Sequence, residues 1–229
     1  MIAAEYYRVA KRSVLDQGFA QEIEWQAARD PSNVTETEFL REAAWVIYCS
    51  GFRELIVRKY FNYISLCFCD WSSAKSILER SRECINSAMH VLANQRKHEA
   101  VVSIAGRIDD LTFEAFKEAL YTDPVTSLQR LPYIGPITSL HLAKNLGFEV
   151  AKPDRHLVRL TTSLGFEDVT SMCQEISAAS GDPIQVVDIV LWRYLERIGR
   201  RSDIGKSGDC VKVAATRHNS TIRSGPSFQ

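Results

Sequence analysis

The residues best placed to do chemistry lie in two runs, Leu131-Pro132-Tyr133-Ile134-Gly135-Pro136-Ile137-Thr138-Ser139 and Lys152-Pro153-Asp154-Arg155-His156-Leu157-Val158-Arg159. In the first, Pro132 fixes its own φ and restricts Leu131, while Gly135 opens backbone conformations closed to other residues, so the connection is sharp and stiff. Pro136 then starts a helix whose free N–H groups and dipole favour an anion. A phosphate fits that end, with Tyr133, Gly135, Ile137 and Thr138 as its contacts. In the second run Pro153 keeps Lys152 out of helical geometry, and Asp154 precedes an apolar stripe of Leu157, Leu160 and Leu164, the position of an N-cap. Capping occupies one carboxylate oxygen and holds the other in place. A fixed negative charge flanked by Arg155, His156 and Arg159 suits a positive charge developing on a sugar carbon, with the basic residues on phosphates. Plain structural readings stand beside these: proline and glycine join many helix pairs without binding anything, and a capping carboxylate is often only a cap.

Helices must position both runs. Apolar residues recur mainly at spacings of three and four, period-two runs are few, and no Asn-Gly hairpin occurs, which predicts an all-α protein. Thr35-Glu36-Thr37-Glu38 is a capping box ahead of the stripe Phe39, Leu40, Ala43, Ala44 and Ile47, which Ser50-Gly51 can end. Further helices are predicted near 53–65, 72–80, 83–94, 96–107, 112–121, 137–147, 154–164, 168–179 and 184–198, with one or two before residue 35. No internal repeat is visible.

The chain has 229 residues, 45% of them hydrophobic, enough for one substantial core or two small ones. Formal charge is zero, which disfavours an indiscriminate nucleic-acid binder. Charge is uneven, however: from Arg200 onward six Lys/Arg face two Asp, giving +4 and leaving −4 for residues 1–199, while Arg130 to Arg159 carries a local +3. A basic patch on a neutral protein is what selective phosphate contact needs. Residues 200–229, rich in Ser, Gly, Thr, Lys and Arg, are expected to be a flexible basic tail, either a solvated terminus or a salt-sensitive tether. Ala43 to Phe52 is too short to cross a bilayer and the N-terminus lacks the pattern of a signal peptide, so an intracellular, soluble protein is expected. The six cysteines match no disulfide framework or cluster pattern. Cys67, Cys69, Cys84 and His90 are irregularly spaced for zinc, so reduced structural thiols and no metal are expected.

Taken together, LPYIGPITS and KPDRHLVR resemble the hairpin, the Gly/Pro-rich loop and the catalytic aspartate of the helix-hairpin-helix (HhH-GPD) DNA glycosylase superfamily. Lys97-His98-Glu99-Ala100-Val101-Val102-Ser103-Ile104-Ala105 resembles the lysine-led helix before that hairpin, and Trp45 to Arg53 resembles the helix end and DNA-wedging loop. The resemblance spans about residues 36 to 198. It implies two helical lobes with a DNA cleft between them: N-terminal helices 1–35 packing with the C-terminal lobe, a lobe at 36–150 ending in the hairpin (128–147), and C-terminal helices 151–199 carrying Asp154. It implies an intracellular, DNA-associated monomer that removes a flipped-out damaged base from double-stranded DNA, Asp154 stabilising the oxocarbenium-like sugar and directing water to C1′. No cofactor is implied, though a monovalent cation at the hairpin is left open.

The chain departs from that pattern at two places. Tyr133 stands where many members have glycine, which bears on how closely a phosphate approaches the turn. Ile137 stands where bifunctional members have the lysine that forms a Schiff base, so water is the expected nucleophile and the activity monofunctional. Lys152 and Lys144 are the alternatives for a glycosylase/lyase, and a noncatalytic DNA-binding module is a third reading. For wedge and pocket the candidates are Phe52 with Arg53, and Trp45, Tyr48 and Trp192, all of which also suit ordinary packing. His141 and His156 are weaker candidates for phosphate contact.

Overall fold

The computed structural model describes the backbone of residues 2–202 and side chains to Arg197. Of the expected tail at 200–229, Arg200 to Ser202 continue the last helix, and the rest, with Cys210, lies outside the described residues. Among the described residues there are thirteen α-helices, two short 3-10 turns and no strand, so the protein is all-helical.

The chain begins with α1 (Ile2–Asp16) and α2 (Ala20–Ala27). Next come α3 (Glu36–Cys49), α4 (Glu54–Cys67), α5 (Ala74–Glu79), α6 (Ser81–Val91), α7 (Gln95–Leu111) and α8 (Phe113–Thr122). α9 (Pro124–Gln129) and α10 (Pro136–Asn145) flank the hairpin turn, and α11 (Arg155–Leu164), α12 (Val169–Ser180) and α13 (Ile184–Ser202) complete the series. Capping residues set most of these limits. The Thr35 hydroxyl accepts from Glu38 N at 3.3 Å while the Glu38 carboxylate accepts from Thr35 N at 3.0 Å, closing the expected capping box of α3. The helix predicted at 83–94 ends at Val91 because Asn94 caps α7, accepting from Lys97 N at 3.2 Å. α9 lies outside the helices predicted from periodicity, yet its signal is local: Asp123 caps it and Pro124 opens it.

Two hydrophobic clusters form. One is built from α3 to α10 and holds Phe39, Ile47, Tyr48, Phe61, Phe68, Trp71, Ile104 and Leu142. Trp71 stacks on Phe68 at 5.4 Å and donates its indole N–H to Ser65 at 2.8 Å. The other joins α1 and α2 to α11, α12 and α13 through Tyr7, Leu157, Met172, Cys173, Val187 and Leu191. Polar ties link them. Gln26 of α2 donates to the Lys144 carbonyl at 2.8 Å, and Arg29 donates to the Asn145 carbonyl at 3.1 Å. Gly147 makes this junction sterically possible: its φ is +99°, and a Cβ there would lie 2.7 Å from the Arg29 carbonyl oxygen. No described helix is long and apolar enough to cross a membrane.

Candidate functional site

Asp154 is the N-cap of α11, with extended backbone (φ −81°, ψ 168°). Its Oδ1 accepts from His156 N at 2.8 Å and Leu157 N at 3.0 Å. Among the described residues Oδ2 accepts no hydrogen bond and no cation pairs with the carboxylate. The side chain is half-buried. One oxygen is therefore locked by two amides at a helix N-terminus, which holds the other in place. Arg155 and Arg159, one helical turn apart on α11, are both exposed, and Arg155 Nε donates to the half-buried His156 at 3.4 Å.

Behind Asp154 stands a basic cluster. Lys144 is sealed in an ion pair with Asp188 at 2.5 Å, their side chains 4% and 2% exposed. The other Asp188 oxygen accepts the Lys152 amide at 2.7 Å, which anchors the loop carrying Asp154 to α13. The Lys152 side chain has no such lock. Its Nζ lies 3.4 Å from His141 Nδ1, half-buried. Burial first, and then the charge of Lys144, lowers the Lys152 pKa, while Asp154 and Asp188 pull it back up. Burial, and then the neighbouring Lys152 and Lys144, hold His141 well below the usual histidine range, so it is neutral and accepts from Lys152. The loop before α11 and α10 thus meet here, and α10 in turn packs on α3.

The hairpin turn closes with Ile134 N donating to Leu131 O at 3.2 Å. Pro132 and a positive φ of +67° at Tyr133 give it the pattern of a type II turn, whose third position usually needs glycine. Gly135 caps α10, and Thr138 Oγ1 accepts the Gly135 N–H at 2.6 Å. That bond consumes one of the donors expected to face a phosphate, so the outward donors of the first turn are the N–H groups of Ile137 and Thr138. Tyr133 and Ile137 are each 46% exposed at this end. Lys97, buried, donates to the carbonyls of Ile47 and Ser50 at the C-terminus of α3, and its ammonium faces the rings of Phe52 at 5.6 Å and Tyr133 at 4.9 Å.

Other candidates fall elsewhere. Tyr48 is fully buried, its hydroxyl donating to His98 Nδ1 at 2.7 Å, so it packs as core and lines no surface pocket. Trp45 is half-buried, edge-on to Phe61 at 5.1 Å and covered by Arg58 at 5.6 Å. Arg53 is exposed at the start of α4, and Phe52 is half-buried beside it. Trp192 is half-buried under Arg193, which itself pairs with Glu22 of α2. Asp188 went unnoticed in the sequence, although one carboxylate inside Val186-Val187-Asp188-Ile189-Val190-Leu191 marks a buried partner. No three or more His, Cys, Asp or Glu side chains converge as a metal site among the described residues, and the five described cysteines are free thiols.

Compared with known proteins, the chain matches no family model, no curated protein and no solved structure.

Proposed function

We propose that this protein is a DNA N-glycosylase of the helix-hairpin-helix type, monomeric and acting on a damaged base in duplex DNA. The observation that carries the reading is half-buried Asp154, with Oδ1 held by two amides and Oδ2 without a hydrogen bond among the described residues, beside a basic cluster. In this reading the phosphate backbone runs along the first turn of α10 and the exposed Arg155 and Arg159. The lesion leaves the stack and its C1′ comes to rest near Asp154 Oδ2. The C1′–N bond breaks, and its electron pair leaves with the base. Positive charge on the sugar is stabilised by the carboxylate, water adds at C1′, and Asp154 accepts a proton from that water. Alkylated purines suit this site best, because a cationic base departs without a strong general acid, and no side-chain proton donor is hydrogen-bonded to Asp154 among the described residues. Oxidised purines are the next choice.

A second reading, a bifunctional glycosylase/lyase, is favoured by one observation. Lys144 is committed to Asp188, but Lys152, two residues from Asp154, carries an amine of lowered pKa that touches His141 and is in no ion pair among the described residues. The test is a panel of duplexes with single alkylated, oxidised, deaminated or mismatched bases, with borohydride added in parallel. Base release lost in Asp154→Asn supports the glycosylase, and a borohydride-trapped adduct lost in Lys152→Ala adds the lyase. Duplex binding without release of any base leaves a noncatalytic DNA-binding module.

A further inference from the structure

Lys97 sits 3% exposed, and among the described residues no carboxylate pairs with it. Its charge is met instead by two carbonyls at the end of α3 and by the faces of two aromatic rings, Phe52 from the loop after α3 and Tyr133 from the hairpin. One ammonium thus holds together two loops far apart in sequence. Tyr133 occupies this place at a cost: a non-glycine residue at φ +67° is strained by about 1 kcal/mol or more, and glycine would relieve it. The ring is nevertheless 46% exposed, so burial does not offset the strain. A strained, half-exposed aromatic whose position is set by a buried cation is built to present its free surface.

We propose that Tyr133, together with Phe52, forms a stacking platform for a nucleobase unstacked from the duplex, with Lys97 as the positioning residue that fixes both rings. The proposal rests on the DNA-binding part of the reading above and not on excision. The occupant is a neutral base. A cation already held near the Tyr133 ring lowers the attraction of that ring for a second cation, while stacking on a neutral heterocycle remains favourable. The base stacked here is therefore a neutral one that has lost its partner in the duplex, rather than a cationic alkylated purine.

The experiment uses the full chain with two duplexes of one sequence, one intact and one with a single abasic site facing 2-aminopurine, a fluorescent base analogue. Affinity and fluorescence are read together. Tyr133→Ala, a change at an exposed position, is expected to weaken abasic-duplex binding about tenfold more than intact-duplex binding and to abolish the fluorescence change. Tyr133→Phe is expected to keep both signals. Lys97→Met, which keeps the length and loses the charge, is expected to reproduce the Tyr133→Ala loss with native helical circular dichroism; if that variant unfolds, the Tyr133 pair alone decides. Equal weakening on both duplexes, or none, overturns the platform. Binding without base release removes the glycosylase and leaves the platform standing, whereas absence of binding to either duplex overturns both.

Discussion

Lys144 and Asp188 are joined by a 2.5 Å ion pair from which solvent is almost wholly excluded, and the second Asp188 oxygen takes the Lys152 amide. One carboxylate thereby connects α10, α13 and the loop that carries Asp154. Removing either charge strands the other in a low-dielectric interior, which typically costs about 3–5 kcal/mol. Asp188→Asn and Lys144→Met are each expected to lower the unfolding free energy by about that amount in denaturant titration. A loss below about 1 kcal/mol would mean that water reaches the pair and that it does not anchor the loop.

Asparagine caps a helix about as well as aspartate, whereas alanine loses roughly 1 kcal/mol. Asp154→Asn is therefore expected to keep the stability of the native protein, and Asp154→Ala to lose about that much. Both should lose excision by at least about a hundredfold, because only the charge matters at the sugar. Excision that followed stability across the two variants would reduce Asp154 to a cap.

Gly147 and Gly165 both adopt positive φ, but only Gly147 meets another backbone, the Arg29 carbonyl. Gly165→Ala carries the left-handed penalty alone, about 1 kcal/mol, while Gly147→Ala must also displace the end of α2. Thermal unfolding is expected to show a distinctly larger loss for Gly147→Ala. Equal losses would show that the close approach yields without cost.

Burial lowers the pKa of His98, which stands between Tyr48 Oη and the Leu92 carbonyl, each at 2.7 Å, and neither of the two oxygens carries a negative charge. His141 is lowered further, by burial and by two lysines. Both are neutral in the fold and bind protons more readily once unfolded. Their contribution is thus complete above the ordinary histidine pKa of 6.5 and is lost as pH falls below it. Urea unfolding at pH 7.5 and 5.5 is expected to show lower stability at the acid value, with a smaller difference in His98→Gln. A stability that rises between pH 7.5 and 5.5 would contradict the neutral assignment.

Glu42 acts in the opposite sense. Burial is the largest influence and raises its pKa, although Arg41, Asn145 and Arg29 oppose it. The fold therefore holds this proton more tightly than the unfolded chain does, and stability is lost as pH rises from the ordinary value of 4.5 through the raised one. Glu42→Gln keeps the contact with Asn145 and removes the charge, so it is expected to raise the melting temperature at pH 7.5. A fall there would show that the arginines more than offset the burial.

Whatever depends on neighbours a few residues apart was legible in the sequence. The all-helical class, the Thr35 capping box, the Pro136 start and the Asp154 cap all follow from backbone propensities and side-chain reach within one turn. The same local logic placed Asp154 beside Arg155 and Arg159. What packing decided lay beyond that range. Tyr48 and His98 pair across 50 positions and Lys144 and Asp188 across 44, so neither the burial of the expected pocket tyrosine nor the commitment of a candidate lysine had a local sign. Lys97 is a similar case, since a lysine at the start of a helix looks solvated until two distant segments close over it. A helix offers every residue some face, and only the burial of apolar area against other helices chooses which face meets water.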